Sequence, residues 1–258
     1  MANFYAVIAR YYDSEHHDKT EDLPLYTDLA ADYGDPILIA GSGTGRLLLA
    51  LAAEGHTVHG VEIEAAMFER AEQKRAANPD LSARLLLHHG DVQTVALDSL
   101  FRLIVVPYNT LMHFHQPTEQ MALLRRLRSL VSADGALVID LPNAGETFAA
   151  QDTEAVILER TFTDLDTGNL VMQQSVSHLD RAAQLLYVTW IYDEITEEGG
   201  VQRTFVPVVN RFFFAPEIRL LLTTCGFTVR AIYGDFDFAP FEDGCPRMIV
   251  VARPAAEA

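Results

Sequence analysis

Cysteine is scarce in this 258-residue chain: Cys225 and Cys245 are the two it has, and no metal-ligand spacing relates them. A reduced cytoplasm is the simplest home for such a sequence. Basic residues are also in short supply, 19 Lys and Arg against 36 Asp and Glu, for a formal net charge of −17. A polyanion would be repelled at long range, so DNA or RNA is disfavoured as substrate. The densest basic stretch, Arg125 to Arg128, falls in an amphipathic helical pattern and reads as a solvated helix face. No apolar run approaches the ~20 residues that span a bilayer, and no membrane partner is expected. The opening "MANFYAVIARYYD" has no basic start followed by a long apolar core, so no signal peptide is expected either. Repeats and low-complexity segments are lacking. What is present in quantity is core material, 49% hydrophobic residues.

Residues 1–34 read as helical and stop at Gly34-Asp35-Pro36. Strands and helices then alternate. "PILIAG" is a first strand, "HTVHGVE" a second, "ARLLLHHGD" a third, "FRLIVVPYN" a fourth and "ALVIDLPN" a fifth. Single helices between strands imply right-handed crossovers and a mostly parallel sheet. From about Asp152 to Phe213 the period switches to two, with turn signals at "DTGN", "LDRAAQ" and "EEGG". Four antiparallel strands are expected there. A helix and two strands finish the chain, and no helix fits between those strands, so they should run antiparallel. Three parts follow: residues 1–151 as a helical cap and the first half of a Rossmann-like sheet, 152–213 as an antiparallel β insert, and 214–258 as the sheet's completion.

At the first strand-to-helix turn, "ILIAGSGTGRL" places glycines at 41, 43 and 45. Glycine permits close backbone approach, either to the pyrophosphate of a dinucleotide or to S-adenosylmethionine. The dinucleotide fingerprint is G-x-G-x-x-G, whereas the spacing here is G-x-G-x-G and Arg46 holds the third dinucleotide position. Glu62, ending the second strand, suits a ribose diol in either cofactor. Asp91, just past the third strand, can accept from an adenine amino group. "PYNTLMHF" follows the fourth strand at the carboxyl-end edge where such sheets bind ligands.

In this order and spacing, "ILIAGSGTGRL", "VHGVEIEAAM", "HHGDV" and "LIVVPYNTLMHF" resemble the cofactor motifs of class I S-adenosylmethionine-dependent methyltransferases. The likeness covers nearly the whole chain. More narrowly, the Tyr12-Asp13 pair, His113 and the β-rich insert resemble small-molecule methyltransferases, amino-sugar N-methyltransferases among them. The resemblance implies an α/β, Rossmann-like seven-stranded sheet with an antiparallel last strand, and S-adenosyl-L-methionine as cofactor. One position departs from the pattern. The family usually carries Asp or Glu two residues before the first motif glycine, and here that residue is Ile39. Backbone carbonyls near Ala40 and Pro107, or Asp13, are the substitutes on offer for the cofactor's amino group.

The expected roles follow. Gly41, Ser42, Gly43 and Gly45 would bring backbone close to the cofactor, with a helix starting at Thr44 to favour its carboxylate. Glu62 would accept from both ribose hydroxyls. Ile63 and Met67 would face the adenine, and Asp91 with the Val92 amide would meet its polar edge. Tyr11, Tyr12 and Lys19 lie in an amino-terminal segment that, by resemblance, folds over the cofactor. Adjacent histidines rarely converge on one ion, so His16-His17 and His88-His89 are not read as ligands and no metal is expected. His113 is the expected proton acceptor and Tyr12 a positioning hydroxyl. The insert is expected to cover the acceptor pocket, with contacts in a homodimer as a second role. Three rival readings stay open: a nicotinamide-dependent oxidoreductase, a non-catalytic S-adenosylmethionine-binding module, and a nucleic-acid methyltransferase.

Overall fold

The computed structural model describes residues 4–145 and 153–256. Two helices, α1 (Phe4–Glu15) and α2 (Leu23–Tyr33), precede the alternating region. Gly34 ends α2 at φ +80°, its amide donating back to Ala30 O. Then come β1 (Ile37–Ala40), α3 (Arg46–Ala53), β2 (Val58–Glu62), α4 (Ala65–Ala77), the short α5 (Pro79–Ser82), β3 (Leu85–His89) and β4 (Phe101–Val106). A 3₁₀ turn at Thr110–His113 leads to α6 (Pro117–Leu130) and β5 (Val131–Pro142). Strands β6 (Thr153–Thr163), β7 (Leu170–Asp180), β8 (Leu185–Ile195) and β9 (Val201–Arg211) form the insert. The chain ends with α7 (Ala215–Thr224), β10 (Phe227–Tyr233) and β11 (Arg247–Pro254).

The main sheet has seven strands in the order β10-β11-β5-β4-β1-β2-β3. β1 to β5 pair in parallel, and β11 runs antiparallel to both β5 and β10. The fold expectation therefore holds, including the reversed last strand. Both sheet faces are buried, which is why the central strands read as continuous apolar runs. Leu38, Ala40, Ile104, Val106, Leu137 and Ile139 join one core cluster, while Ile37, Ile39, Leu103, Val105, Ala136 and Val138 join the other. Alternation along each strand sorts them. From β1 the order steps outward to β2 and β3 on one side, then to β4 and β5 on the other. The carboxyl ends of β1 and β4 thus form the topological switch where such sheets open a crevice.

The insert is a separate four-stranded antiparallel sheet, ordered β6-β7-β8-β9. Its expected boundary at 151/152 lies outside the described residues. Its apolar side, with Phe162, Val171, Tyr192 and Val206, packs on Ile8, Ala9 and Tyr11 of α1. Among the described residues, none from the insert lines the large cavity at the switch point. Arg160 of β6 lines a second hollow that also takes in His16 and Tyr108. The insert otherwise backs α1, whose opposite face lines the large cavity.

Candidate active site

The glycine turn is held between two neighbours. The Gly41 and Ser42 amides both donate to Val61 O, at 2.9 and 3.0 Å. At φ +83° Gly41 lies against Thr110, and a Cβ there would sit 2.7 Å from that side chain. Gly43, at φ +56°, has its nearest atom in Tyr12 at 4.0 Å, so its Cα side faces open space under α1. Gly45 requires correction. It is the residue before α3 at φ +87°, it does not line the cavity, and an added Cβ would meet Ala71 at 3.3 Å. Its lack of a side chain serves the packing of α3 on α4. The helix also begins at Arg46 rather than Thr44.

Glu62 is 7% exposed and divides its carboxylate between two amides: Gly43 N donates to Oε2 and Glu64 N to Oε1, each at 2.8 Å. A carboxylate has about four acceptor positions, so one per oxygen remains. Burial raises the Glu62 pKa above the ordinary carboxylate range, against the lowering effect of those amides. Asp91 caps its own turn, accepting from Gln93 N at 2.8 Å through Oδ1. Ser42, Glu62, Ile63, Met67, Asp91, Val92 and Pro107 all line one cavity of about 470 Å³. Met67 is buried within its wall, and Ile63 stands exposed at its rim.

α1 closes the other side with Tyr5 and Tyr12, and His16 and Lys19 follow just beyond it. Tyr11 points the opposite way, stacked on Tyr192 at 4.9 Å. His113 also lines the cavity, and its Nε2 lies 2.7 Å from the Tyr5 hydroxyl. Burial, with a smaller effect from His115, lowers the His113 pKa to about 4. The ring is therefore neutral at neutral pH. Tyr108 sits at φ +53°, its amide donating to Asp140 Oδ2 at 3.2 Å. Asp140 is buried, and it also accepts from Tyr26 and from Arg247. Lys19 and Arg247 lie over the Tyr108 ring at 5.0 and 5.5 Å.

A nucleotide-sized group carrying an ammonium fits these walls. The carboxylates Glu62 and Asp91 gather at the β2 and β3 end, so the opposite end of such a group points toward β1 and β4. Ile39 offers it no acceptor. Pro107 O is already engaged by the Thr110 amide and hydroxyl, at 3.2 and 2.8 Å. Asp13 is committed as well: Oδ1 accepts from Thr44 and Lys74, both at 2.6 Å, and Arg70 lies 3.6 Å from Oδ2. Asn109, in contrast, has a buried Oδ1 with no donor and lines this cavity. An orphaned buried acceptor costs about 1–3 kcal/mol, which an incoming ammonium would relieve.

Sequence reasoning placed most of these residues but missed Tyr5, Asn109 and Asp140. Their partners lie 108 and 107 residues away for Tyr5 and the Asp140–Arg247 pair, so no local pattern marks them. One signal was available on α1. Tyr5, Tyr12 and His16 are spaced by seven and four, a helical stripe of polar-tipped rings.

Residues 37–135 match a family model described as a methyltransferase domain. The chain is 31% identical over 147 residues to the dTDP-3-amino-3,6-dideoxy-alpha-D-glucopyranose N,N-dimethyltransferase of Streptomyces fradiae, covering 54% of this chain. That match spans 55% of the relative, about half its length. The CcbJ methyltransferase structure from Streptomyces caelestis superposes with a TM-score of 0.79 at 24% identity, over 95% of this chain and 96% of that one. The S-adenosylmethionine-bound structure of CalS10, an amino pentose methyltransferase from Micromonospora echinaspora, gives 0.71 at 17% identity, over 93% and 95%. The matched domain and the shared fold agree with the cavity's two ends: residues 37–135 are similar to a methyltransferase domain, and the chain as a whole has the fold of these S-adenosylmethionine-dependent methyltransferase structures.

Proposed function

We propose that this protein transfers a methyl group from S-adenosylmethionine to an amino group of a small, sugar-like acceptor. The carrying observation is a recess beside the cofactor cradle walled by neutral imidazole and phenol groups: Tyr5, Tyr12, His16, Tyr108 and His113. Bound cofactor supplies an electrophilic methyl on a sulfonium. The chain's own groups then align the acceptor in line and keep water out, which accounts for much of the rate in such chemistry. Glu62 holds the ribose, Asp91 and Val92 the adenine edge between Ile63 and Met67, and Gly41, Ser42 and Gly43 the backbone cradle. Asn109 and Pro107 bound the amino-acid end. His113 and Tyr12 face the acceptor. A second hollow of about 560 Å³ shares His16, Lys19 and Tyr108 with the first and supplies room for the rest of the acceptor. The Streptomyces fradiae relative is an N,N-dimethyltransferase of an amino sugar, which supports the choice of nitrogen.

The insert, residues 152–213 in this reading, contributes to acceptor choice through α1. Its edge strand β6 exposes Val156, Ile157 and Leu158, a surface suited to a homodimer. No described helix is long and apolar enough to cross a membrane; with the acidic charge, this supports a cytoplasmic enzyme that avoids nucleic acid. The test is a panel of amino sugars, free and dTDP-linked, incubated with S-adenosylmethionine. A methylated product with S-adenosylhomocysteine release supports the proposal. Cofactor binding without release on any amine or hydroxyl would instead make this a binding module.

A further inference from the structure

His16 stands where the two hollows meet, lining both. Its Nδ1 lies 2.9 Å from Tyr12 O. A carbonyl oxygen accepts and cannot donate, so Nδ1 carries the proton and the neutral ring keeps its lone pair on Nε2. Among the described residues, no protein group donates to that Nε2. The ring is also fixed in place, stacked on Tyr12 at 4.4 Å with the edge of Tyr108 at 5.9 Å.

His113 is placed differently: its Nε2 is already paired with the Tyr5 hydroxyl at 2.7 Å. One imidazole presents a lone pair to the hollows, and the other has that nitrogen engaged by a phenol. We propose that His16 Nε2 takes the acceptor's proton during methyl transfer, while His113, paired with Tyr5, helps to position the acceptor.

This assignment rests on the amine-methylating reading above. In the step, the amine nitrogen's lone pair forms the bond to the methyl carbon. The carbon–sulfur bond breaks and its electron pair stays on sulfur, leaving a neutral thioether. The nitrogen's surplus proton passes to Nε2, and the resulting imidazolium returns it to water through the second hollow. Burial holds His16 below the ordinary histidine range and so neutral at the start. Glu15 on α1 opposes this, favouring the charged ring, while Arg46 from α3 and Arg160 from β6 favour the neutral one. Asp18, Lys19, Glu21, Asp235 and Arg247 share the second hollow with it, and the phenols Tyr12 and Tyr108 lie against its ring.

The experiment compares the parent with His16→Gln, His16→Ala and His113→Gln. Titration calorimetry with S-adenosylhomocysteine reads cofactor binding, and the amino-sugar panel reads turnover against pH. His16→Gln should retain cofactor affinity, lose roughly 10²- to 10⁴-fold in kcat, and lack the parent's acidic limb. Added imidazole should restore part of the His16→Ala rate. His113→Gln should raise KM while keeping the limb. Long-range ¹H–¹⁵N spectra of the parent need no acceptor and should show His16 protonated at Nδ1. A proton on Nε2 there, or an unchanged limb in His16→Gln, would overturn the assignment. A parent that binds cofactor yet methylates no amine overturns the underlying reading and this one with it. An active parent with a fully active His16→Gln overturns this one alone.

Discussion

Replacing Glu62 by alanine removes a carboxylate with two amides already bound and one free acceptor position per oxygen. The two free positions match the two hydroxyls of a ribose. Hydrogen bonds to a charged group contribute about 1.5–3 kcal/mol, so S-adenosylhomocysteine affinity should fall by roughly 10- to 150-fold. The same change strands the Gly43 and Glu64 amides, at about 1–3 kcal/mol for each that water does not reach. Thermal unfolding should therefore drop along with affinity, and the calorimetry is done well below the new midpoint. Proton linkage gives a second reading. Because burial raises the Glu62 pKa, the native state binds a proton at pH values where the unfolded chain does not. Its ionisation thus opposes stability as pH rises through that window, and acidification relieves it. Cofactor binding needs the carboxylate, so affinity should weaken on acidification before the ordinary glutamate range near 4.3 is reached. Unchanged affinity in a folded Glu62→Ala protein would remove this residue from the site.

Gly41→Ala should destabilise the fold by ~1–3 kcal/mol, because a Cβ would meet Thr110 at 2.7 Å in a left-handed backbone; an unchanged melting temperature would contradict this packing. His113 adds a pH slope of its own. With its folded pKa lowered to about 4 against an ordinary 6.5, the unfolded chain binds the proton first, so stability falls as pH drops from 6.5 toward 4. The full window amounts to roughly 3 kcal/mol, and denaturant melts of His113→Gln should lack that part of the slope. Arg247→Ala leaves Asp140 buried with two weaker donors and should cost about 3–5 kcal/mol. A loss under 1 kcal/mol in urea melts would show that the pair is not desolvated.

Much of the fold was legible because its determinants are local and periodic. The run at 37–40 is apolar on both faces, as a central parallel strand must be, and Gly34 stops a helix where the φ +80° backbone needs it. Glu62 and Asp91 were legible by place, one ending β2 and the other two residues past the end of β3. Gly45 was found for the wrong reason, since a glycine signals only that something comes close. Here the neighbour is Ala71 rather than a ligand. The lone pair that faces the acceptor was not legible at all. His16 and His113 differ through one carbonyl and one phenol, and the phenol comes from 108 residues away. A sequence gives residue types in order, whereas a tautomer depends on a hydrogen-bond partner that only tertiary structure supplies.

The insert's effect on the site follows from what α1 needs. A helix of 12 residues is marginal alone in water, and this one must hold its rings against a cavity. Its outer face buries Ile8 and Tyr11 to 3% and 1% exposure against the insert, at about 1.5–3 kcal/mol for each such side chain. That burial supplies the energy but little orientation, because apolar contact is non-directional. Orientation comes from polar groups. Ser14 donates to Asp164 Oδ1 at 3.0 Å and receives the Leu165 amide at 2.9 Å, while Tyr11 and Arg10 donate to Glu194 at 3.1 and 2.8 Å. Arg10 is 40% exposed, so its charge pair adds ≲1 kcal/mol. The buried acceptors Asp164 and Glu194 matter more, since rotation of α1 would take from them the Ser14 and Tyr11 donors and leave only those of the insert's own loop, Thr167 and Asn169 among them. A shift of one residue turns a helix by ~100°. It would carry Tyr5 away from His113 and His16 away from both hollows. The second sheet therefore holds these rings at the cavity, acting from the far side of the helix.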